Sequence, residues 1–267
     1  MVEPCAGWVE ANGASLRFRR EGRGTTIVLL HEMGGALESW NLVAPELALN
    51  HEVVRFDLRG SGLSEKIRTP VSLEVFVADL AVLLDRLEID SPIVAGGALG
   101  GGIALAFAAS HPERSAGVIA FAPATGVPAE RRAHAATFHE RLVQKGIAAT
   151  VDEAMSPSAW PDEDARRRPG FGLFRALQKA ADPESSGHQN AMLLDADVAA
   201  FAPPARVPVR LIAGRADAMR GPAVIRDFAA RIPHASIGEI ESGHFMVLQA
   251  PDRVTAEIAA FAATIGS

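Results

Sequence analysis

Five short segments carry the residue types able to move protons or stabilise negative charge, and they follow one another in a fixed order. They are His31-Glu32-Met33-Gly34-Gly35, the run DLRGSGLS at 57–64, Gly96-Gly97-Ala98-Leu99-Gly100-Gly101, Gly214-Arg215-Ala216-Asp217 and Ser242-Gly243-His244-Phe245. Histidine and the carboxylates are the usual side chains of general acid–base catalysis. A glycine-rich run that opens a helix aims backbone N–H groups and a helix dipole at an anion. GGALGGG also looks like a phosphate-cradling loop, but it lacks a Lys-Ser/Thr ending and lies mid-chain, so nucleotide binding is not expected. The absence of Tyr removes every mechanism built on a tyrosine acid or nucleophile. The single Cys5 excludes an internal disulfide framework and a cysteine-cluster metal site. His134, His139 and His188 lack metal-ligand spacing and read as surface positions, so neither metal nor other cofactor is expected. Arg166 to Arg168 read as a solvated face, with capture of an acidic substrate as the alternative.

These segments need elements to position them. Two short strands at 8–11 and 15–20 are joined by an Asn12-Gly13 hairpin turn. Apolar runs at 25–30, 52–58, 91–97, 116–122 and 207–214 suit strands buried on both faces. Between them, Leu73, Phe76, Val77, Leu80, Leu84 and Leu87 fall at helical spacing, with Ser72 as the expected N-cap. A second helix is expected over 99–110, ending before His111-Pro112. Buried strands alternating with helices imply right-handed crossovers and a mostly parallel sheet covered on both faces, an α/β class. Residues 124–204 break the alternation and are expected to form a helical cap inserted within a single domain spanning 1–267. Ligands in such sheets bind at the carboxyl ends of the strands, where an insertion makes a lid. Phe138, Trp160, Phe171, Phe174 and Met192 suit either an apolar pocket under that cap or its own packing.

The ordered set of strand-end motifs resembles the α/β-hydrolase family, in its branch of lactonases, esterases and carbon–carbon bond hydrolases. The resemblance runs nearly end to end and is weakest across 124–204. It implies an eight-stranded sheet, an oxyanion hole after the third strand, a nucleophile elbow, an acid after the seventh strand and a histidine after the eighth. Carried over residue by residue, Asp217 matches the acid, His244 the base, and Met33 and Leu99 the oxyanion-hole N–H donors. The elbow pattern G-x-S-x-G falls on Gly96-Gly97-Ala98-Leu99-Gly100, so alanine occupies the nucleophile position.

A methyl group cannot attack a carbonyl, so no acyl-enzyme can form at Ala98. Three readings follow: a substitution made to trap substrate, a native site in which Asp217 and His244 activate a water, or a binding pocket without catalysis. A second departure is Glu32, which follows His31 where relatives usually carry Gly. A carboxylate there would repel a developing oxyanion, so it must point away, be paired, or act itself as a base or substrate-orienting group. Arg59 and Lys66 are its candidate partners by sequence neighbourhood. His31 is expected to brace the oxyanion loop, and Asp57 and Arg59 to pin the turn after the fourth strand.

A net charge of -6 offers no footprint for nucleic acid or an anionic membrane. Glu3 and Pro4 stand where a signal peptide needs basic and apolar residues, so a cytoplasmic protein is expected. The expected partner is a small-molecule substrate, and a homodimer stays open. The leading reading is a cofactor-free hydrolase of a small ester, a lactone of the enol-lactone kind or an activated carbonyl compound. The alternatives are a non-catalytic small-molecule-binding protein, and a lyase or cofactor-free oxygenase in which the His–Asp pair accepts a proton.

Overall fold

The computed structural model describes residues 5–127, 129–155, 159–160 and 166–265. An eight-stranded sheet runs through it in the order β1-β2-β4-β3-β5-β6-β7-β8. Its strands are β1 (Cys5–Ala11), β2 (Ala14–Gly22), β3 (Thr26–Leu30), β4 (Glu52–Phe56), β5 (Ile93–Gly97), β6 (Gly117–Phe121), β7 (Val209–Gly214) and β8 (Ser236–Ile240). Only the β1–β2 and β2–β4 pairings are antiparallel, and every pairing from β4 to β8 is parallel. The β1–β2 turn places both Asn12 (φ 49°) and Gly13 (φ 73°) in the left-handed region, as a type I′ hairpin requires.

Alternation along the strands builds two cores. Val28, Leu30, Val54, Val94 and Val118 face one side, where they meet α2 (Leu73–Arg86) and α3 (Leu99–Ser110). Ile27, Leu29, Val53, Ile93 and Ile119 face the other, against α1 (Ala44–Leu47) and α11 (Pro251–Ile265). The strand order reverses at β3, which has β4 on one side and β5 on the other. That reversal opens a crevice at the carboxyl ends of β3 and β5.

Residues after β6 leave the sheet as helices: α4 (Ala129–Ala136), α5 (Phe138–Lys145), α6 (Ile147–Thr150), α7 (Pro169–Ala180) and α8 (Pro183–Asp195). They lie before β7 in the chain, and α7 packs on α10 (Met246–Gln249) at the carboxyl end of the sheet. Trp160 and Phe174 form a separate apolar cluster with Phe245, the Phe174 and Phe245 rings lying 4.6 Å apart. The remaining helix, α9 (Pro222–Ala229), packs on β7. Among the described residues, no helix is long and apolar enough to cross a membrane.

Several boundaries differ from expectation. The strand expected over 52–58 ends at Phe56, because the next residue turns its carboxylate to the backbone N–H groups of Leu37 and Leu63 at 2.7 Å each. The strand expected from residue 207 starts at Val209, after Pro208, which has no N–H to donate. The first strand is longer, pairing from Cys5 ↔ Arg20 onward; its largely exposed edge carries little apolar signal. Ser72 stands at the N-cap of α2 without a side-chain capping bond.

Candidate functional site: an elbow, a His–Asp pair and a cavity

β5 passes into α3 through one residue. Ala98 holds φ 46° and ψ −110°, a region that residues with a Cβ rarely adopt, at a cost of about 1–3 kcal/mol. Backbone bonds enforce it: its N–H donates to Phe121 O at 2.9 Å, and its carbonyl accepts from Gly102 at 3.0 Å and Ala124 at 2.8 Å. Gly100 N–H donates to His31 O at 3.1 Å, an approach so close that a Cβ on Gly100 would collide with the Leu30 carbonyl. The alanine thus sits in a strained turn of the kind that presents a nucleophile, with no nucleophile on it.

The loop after β3 is held from both sides. His31 Nε2 accepts from Leu58 N–H at 3.0 Å, which leaves Nδ1 to donate to Glu32 O at 2.7 Å. Gln178 of α7 donates to the Met33 carbonyl at 2.9 Å. Among the described residues, neither the Met33 nor the Leu99 N–H has a protein acceptor, and both residues line the same cavity.

At the other edge, Asp217 lies in the turn after β7. Its Oδ1 accepts from the N–H groups of Met219 at 2.7 Å and Arg220 at 2.9 Å, and its Oδ2 meets His244 Nδ1 at 2.8 Å. Burial pushes the Asp217 carboxyl up, but the bond to His244, the imidazole charge and the two amides outweigh it and hold the carboxyl below its ordinary 3.8. An ionised Asp217 fixes the proton on Nδ1, so the neutral ring presents Nε2 as an acceptor. The Phe245 ring stands edge-on to the imidazole at 5.3 Å and limits its rotation.

Ala98, Leu99, Met33, Glu32 and His244 converge on one cavity of about 290 Å³. Its wall is largely apolar, with Phe138, Val127, Met155 and Leu193, and its polar members include Arg141, Asn190 and Arg220. Sequence reasoning missed these last three. Arg220 lies three residues past Asp217, but Arg141 and Asn190 reach the cavity only through the packing of α5 on α8. A larger open groove of about 760 Å³ along β8 and α11 is crossed by the Arg210–Glu257 ion pair at 2.7 Å and contains none of the expected residues.

Other expected positions settle differently. Glu32 is paired with neither Arg59 nor Lys66: Arg59 clamps Asp79 of α2 at 2.6 Å, and Lys66 donates to Gly62 O at 2.5 Å. Arg59 therefore ties the turn to α2, while Asp57 holds the turn itself together with Arg17 at 2.8 Å. Arg166 donates to Trp160 O at 2.7 Å, Arg167 and Arg168 are exposed, and none of the three lines the cavity. Trp160, Phe171 and Phe174 pack on one another beneath the helices, and Met192 joins the main core. His188 is half-buried away from the cavity, and the side chains of His134 and His139 lie outside the described residues.

Comparison with known proteins places this architecture. A family model described as alpha/beta hydrolase fold matches residues 25–145. The enol-lactonase from Burkholderia xenovorans LB400 superposes with a TM-score of 0.87 at 25% identity, over 96% of this chain and 100% of that one. An esterase from Thermogutta terrifontis superposes with a TM-score of 0.87 at 23% identity, over 98% and 100% of the two chains. The chain has the alpha/beta hydrolase fold. In sequence it is 37% identical over 108 residues to 2-hydroxymuconate semialdehyde hydrolase of Pseudomonas sp. (strain CF600). That match spans 39% of this chain and only 38% of the relative.

Two substitutions test the geometry. Ala98→Gly removes the strain at positive φ and is expected to leave stability unchanged or raise it by up to about 1 kcal/mol. Ala98→Val should cost about 2 kcal/mol or more, because a β-branched residue is poorly accommodated there. Thermal unfolding compares the two, and equal effects would show an unstrained elbow. The depressed Asp217 carboxyl makes its stabilisation fully present above its unfolded value of 3.8 and lost as pH falls through the folded value. Asp217→Asn should therefore cost about 1–2 kcal/mol near neutral pH, a deficit that shrinks below the unfolded value in urea titrations.

Proposed function

We propose that this chain is a cofactor-free hydrolase of small carboxylic esters, lactones or similarly activated carbonyl compounds, acting through a water activated by His244. The observation that carries this reading is the His244–Asp217 pair at 2.8 Å, opening onto a cavity floored by Ala98. The water oxygen bonds to the carbonyl carbon as its proton passes to His244 Nε2. The carbonyl electron pair moves onto oxygen, where the Met33 and Leu99 N–H groups receive it. Collapse of the tetrahedral species breaks the bond to the leaving oxygen, which takes the proton back from His244. An ester yields an acid and an alcohol, and a lactone a single hydroxy acid.

Magnitudes limit the substrate. General base catalysis supplies about 10²–10⁴-fold, and an oxyanion donor about 10²–10³-fold. These suffice for an activated ester or enol lactone and fall short for an unactivated amide. The enol-lactonase and esterase likenesses support the same substrate class. Arg141 and Arg220 also line the wall, with guanidinium bonds to Thr137 Oγ1 at 2.6 Å and the Gly126 carbonyl at 2.7 Å, and their positive charge favours a substrate bearing a carboxylate.

Steady-state and rapid-mixing assays on a short activated ester test the mechanism. The chain itself should turn over without a burst, and His244→Ala should remove that turnover. Ala98→Ser should add a burst of one product equivalent. Turnover that survives in His244→Ala refutes the water mechanism; turnover seen only with Ala98→Ser assigns the chemistry to a serine that this chain lacks. For substrate charge, Arg220→Gln should raise KM for a carboxylate-bearing ester by about tenfold and leave a neutral ester within twofold. Equal effects on both esters would remove the carboxylate preference.

A further inference from the structure

Glu32 is 5% exposed, yet among the described residues no cation pairs with it. Its Oε1 accepts from Ser39 Oγ at 2.9 Å, and among the described residues Oε2 has no hydrogen-bond partner. That oxygen is not sealed in the core, so it opens onto space that a small polar molecule can fill. The backbone makes room for it: a Cβ on Gly35 would lie 2.6 Å from Glu32 Oε1.

What Glu32 faces narrows the answer. Beside the main cavity is a small void of about 10 Å³, walled by Glu32, Gly97, Ala98, Phe121 and His244 together with residues 245–248. Glu32, Ala98 and His244 line both spaces. A site for one water needs on the order of 10–15 Å³ and at least two polar partners. The Glu32 carboxylate and His244 Nε2 are both acceptors, matching the two hydrogens of one water.

We propose that Glu32 is a further catalytic residue, holding with His244 one water in the space a serine side chain on residue 98 would fill. This rests on the water-attack reading above. The water donates one hydrogen to Glu32 and the other to His244, which turns its lone pairs towards the cavity. As the oxygen bonds to the carbonyl carbon, the proton on the His244 side moves to Nε2 while the Glu32 side stays hydrogen-bonded. The carboxylate also opposes the positive charge that then forms on the imidazole. That gain offsets its repulsion of the oxyanion, and it requires the charge to lie on the His244 side of the site.

Glu32→Gln keeps the side chain's size and its bond from Ser39, but turns an N–H donor towards the void. The expected result is a fall in kcat of about 10²-fold with KM within about threefold and an unchanged Tm. Glu32→Asp, one methylene short of the water, should lose kcat likewise. In an Ala98→Ser background the hydroxyl replaces the water and only the imidazole charge is left for Glu32 to balance, so adding Glu32→Gln should slow the burst by no more than about tenfold, against the 10²-fold loss in the parent chain. An unchanged kcat overturns the proposal, as does an equal loss in both backgrounds, which would make Glu32 a support of the loop only. High-resolution crystallography of the parent chain separates the two readings. Density for a water between Glu32 and His244, lost in Ala98→Ser, upholds the water site even if no ester is turned over, in which case it is the hydrolase reading that fails. An empty void overturns the proposal whatever the kinetics.

Discussion

The Gly100 N–H donates to the His31 carbonyl at 3.1 Å, and that bond requires the first turn of α3 to lie against the carboxyl end of β3. Nothing larger than glycine fits at the contact. Once the contact is made, the positions of the other parts follow. The loop after β3 must leave sideways, which puts Met33 and Glu32 beside Ala98. Ala98 must turn through positive φ to reach α3, and it is bonded on the far side to β6 and the segment after it. The strain at residue 98 is sustained because three backbone bonds over-determine it.

That contact explains which parts of the protein are legible in its sequence. Glycine at 96, 97, 100, 101 and 102 is a poor choice for an ordinary strand-to-helix junction, so the elbow announces itself without its nucleophile. β3, β5 and β6 are apolar on both faces because helices cover both, and a continuous apolar run needs no partner to be read. Asp217 and His244 are legible by their place after the last two strands, although 27 residues separate them and only the packing of two loops brings them to 2.8 Å.

The rest depends on contacts that sequence neighbourhood does not encode. Glu32 is not served by Arg59, because Asp79 on α2 presents both carboxylate oxygens to that guanidinium at 2.6 and 2.8 Å. Its actual partner is a neutral serine seven residues on. The polar wall of the cavity was equally hidden, since the orientation of α5 and α8 decides which of their faces is inside. Arg141 lies on α5 and lines the cavity where α5 packs on α8, while Asn190 of α8 also holds α4 by donating to the Ala135 carbonyl at 2.8 Å.

The helices over the site are bound to it through backbone groups. Gln178 donates to Met33 O at 2.9 Å, Gln189 donates to Arg59 O at 2.9 Å, and Ser185 accepts from Ile67 N–H at 2.9 Å. The first of these matters most for chemistry. Gln178 grips the Met33 carbonyl, and the peptide unit that carries the Met33 N–H is the one immediately before it in the same loop. Displacing α7 would disturb the loop that carries Met33 and Glu32 and, through the Phe174–Phe245 contact at 4.6 Å, the residue beside His244 as well. The two sides are coupled through the position of α7 rather than through any direct bond between the loop after β3 and the His–Asp pair.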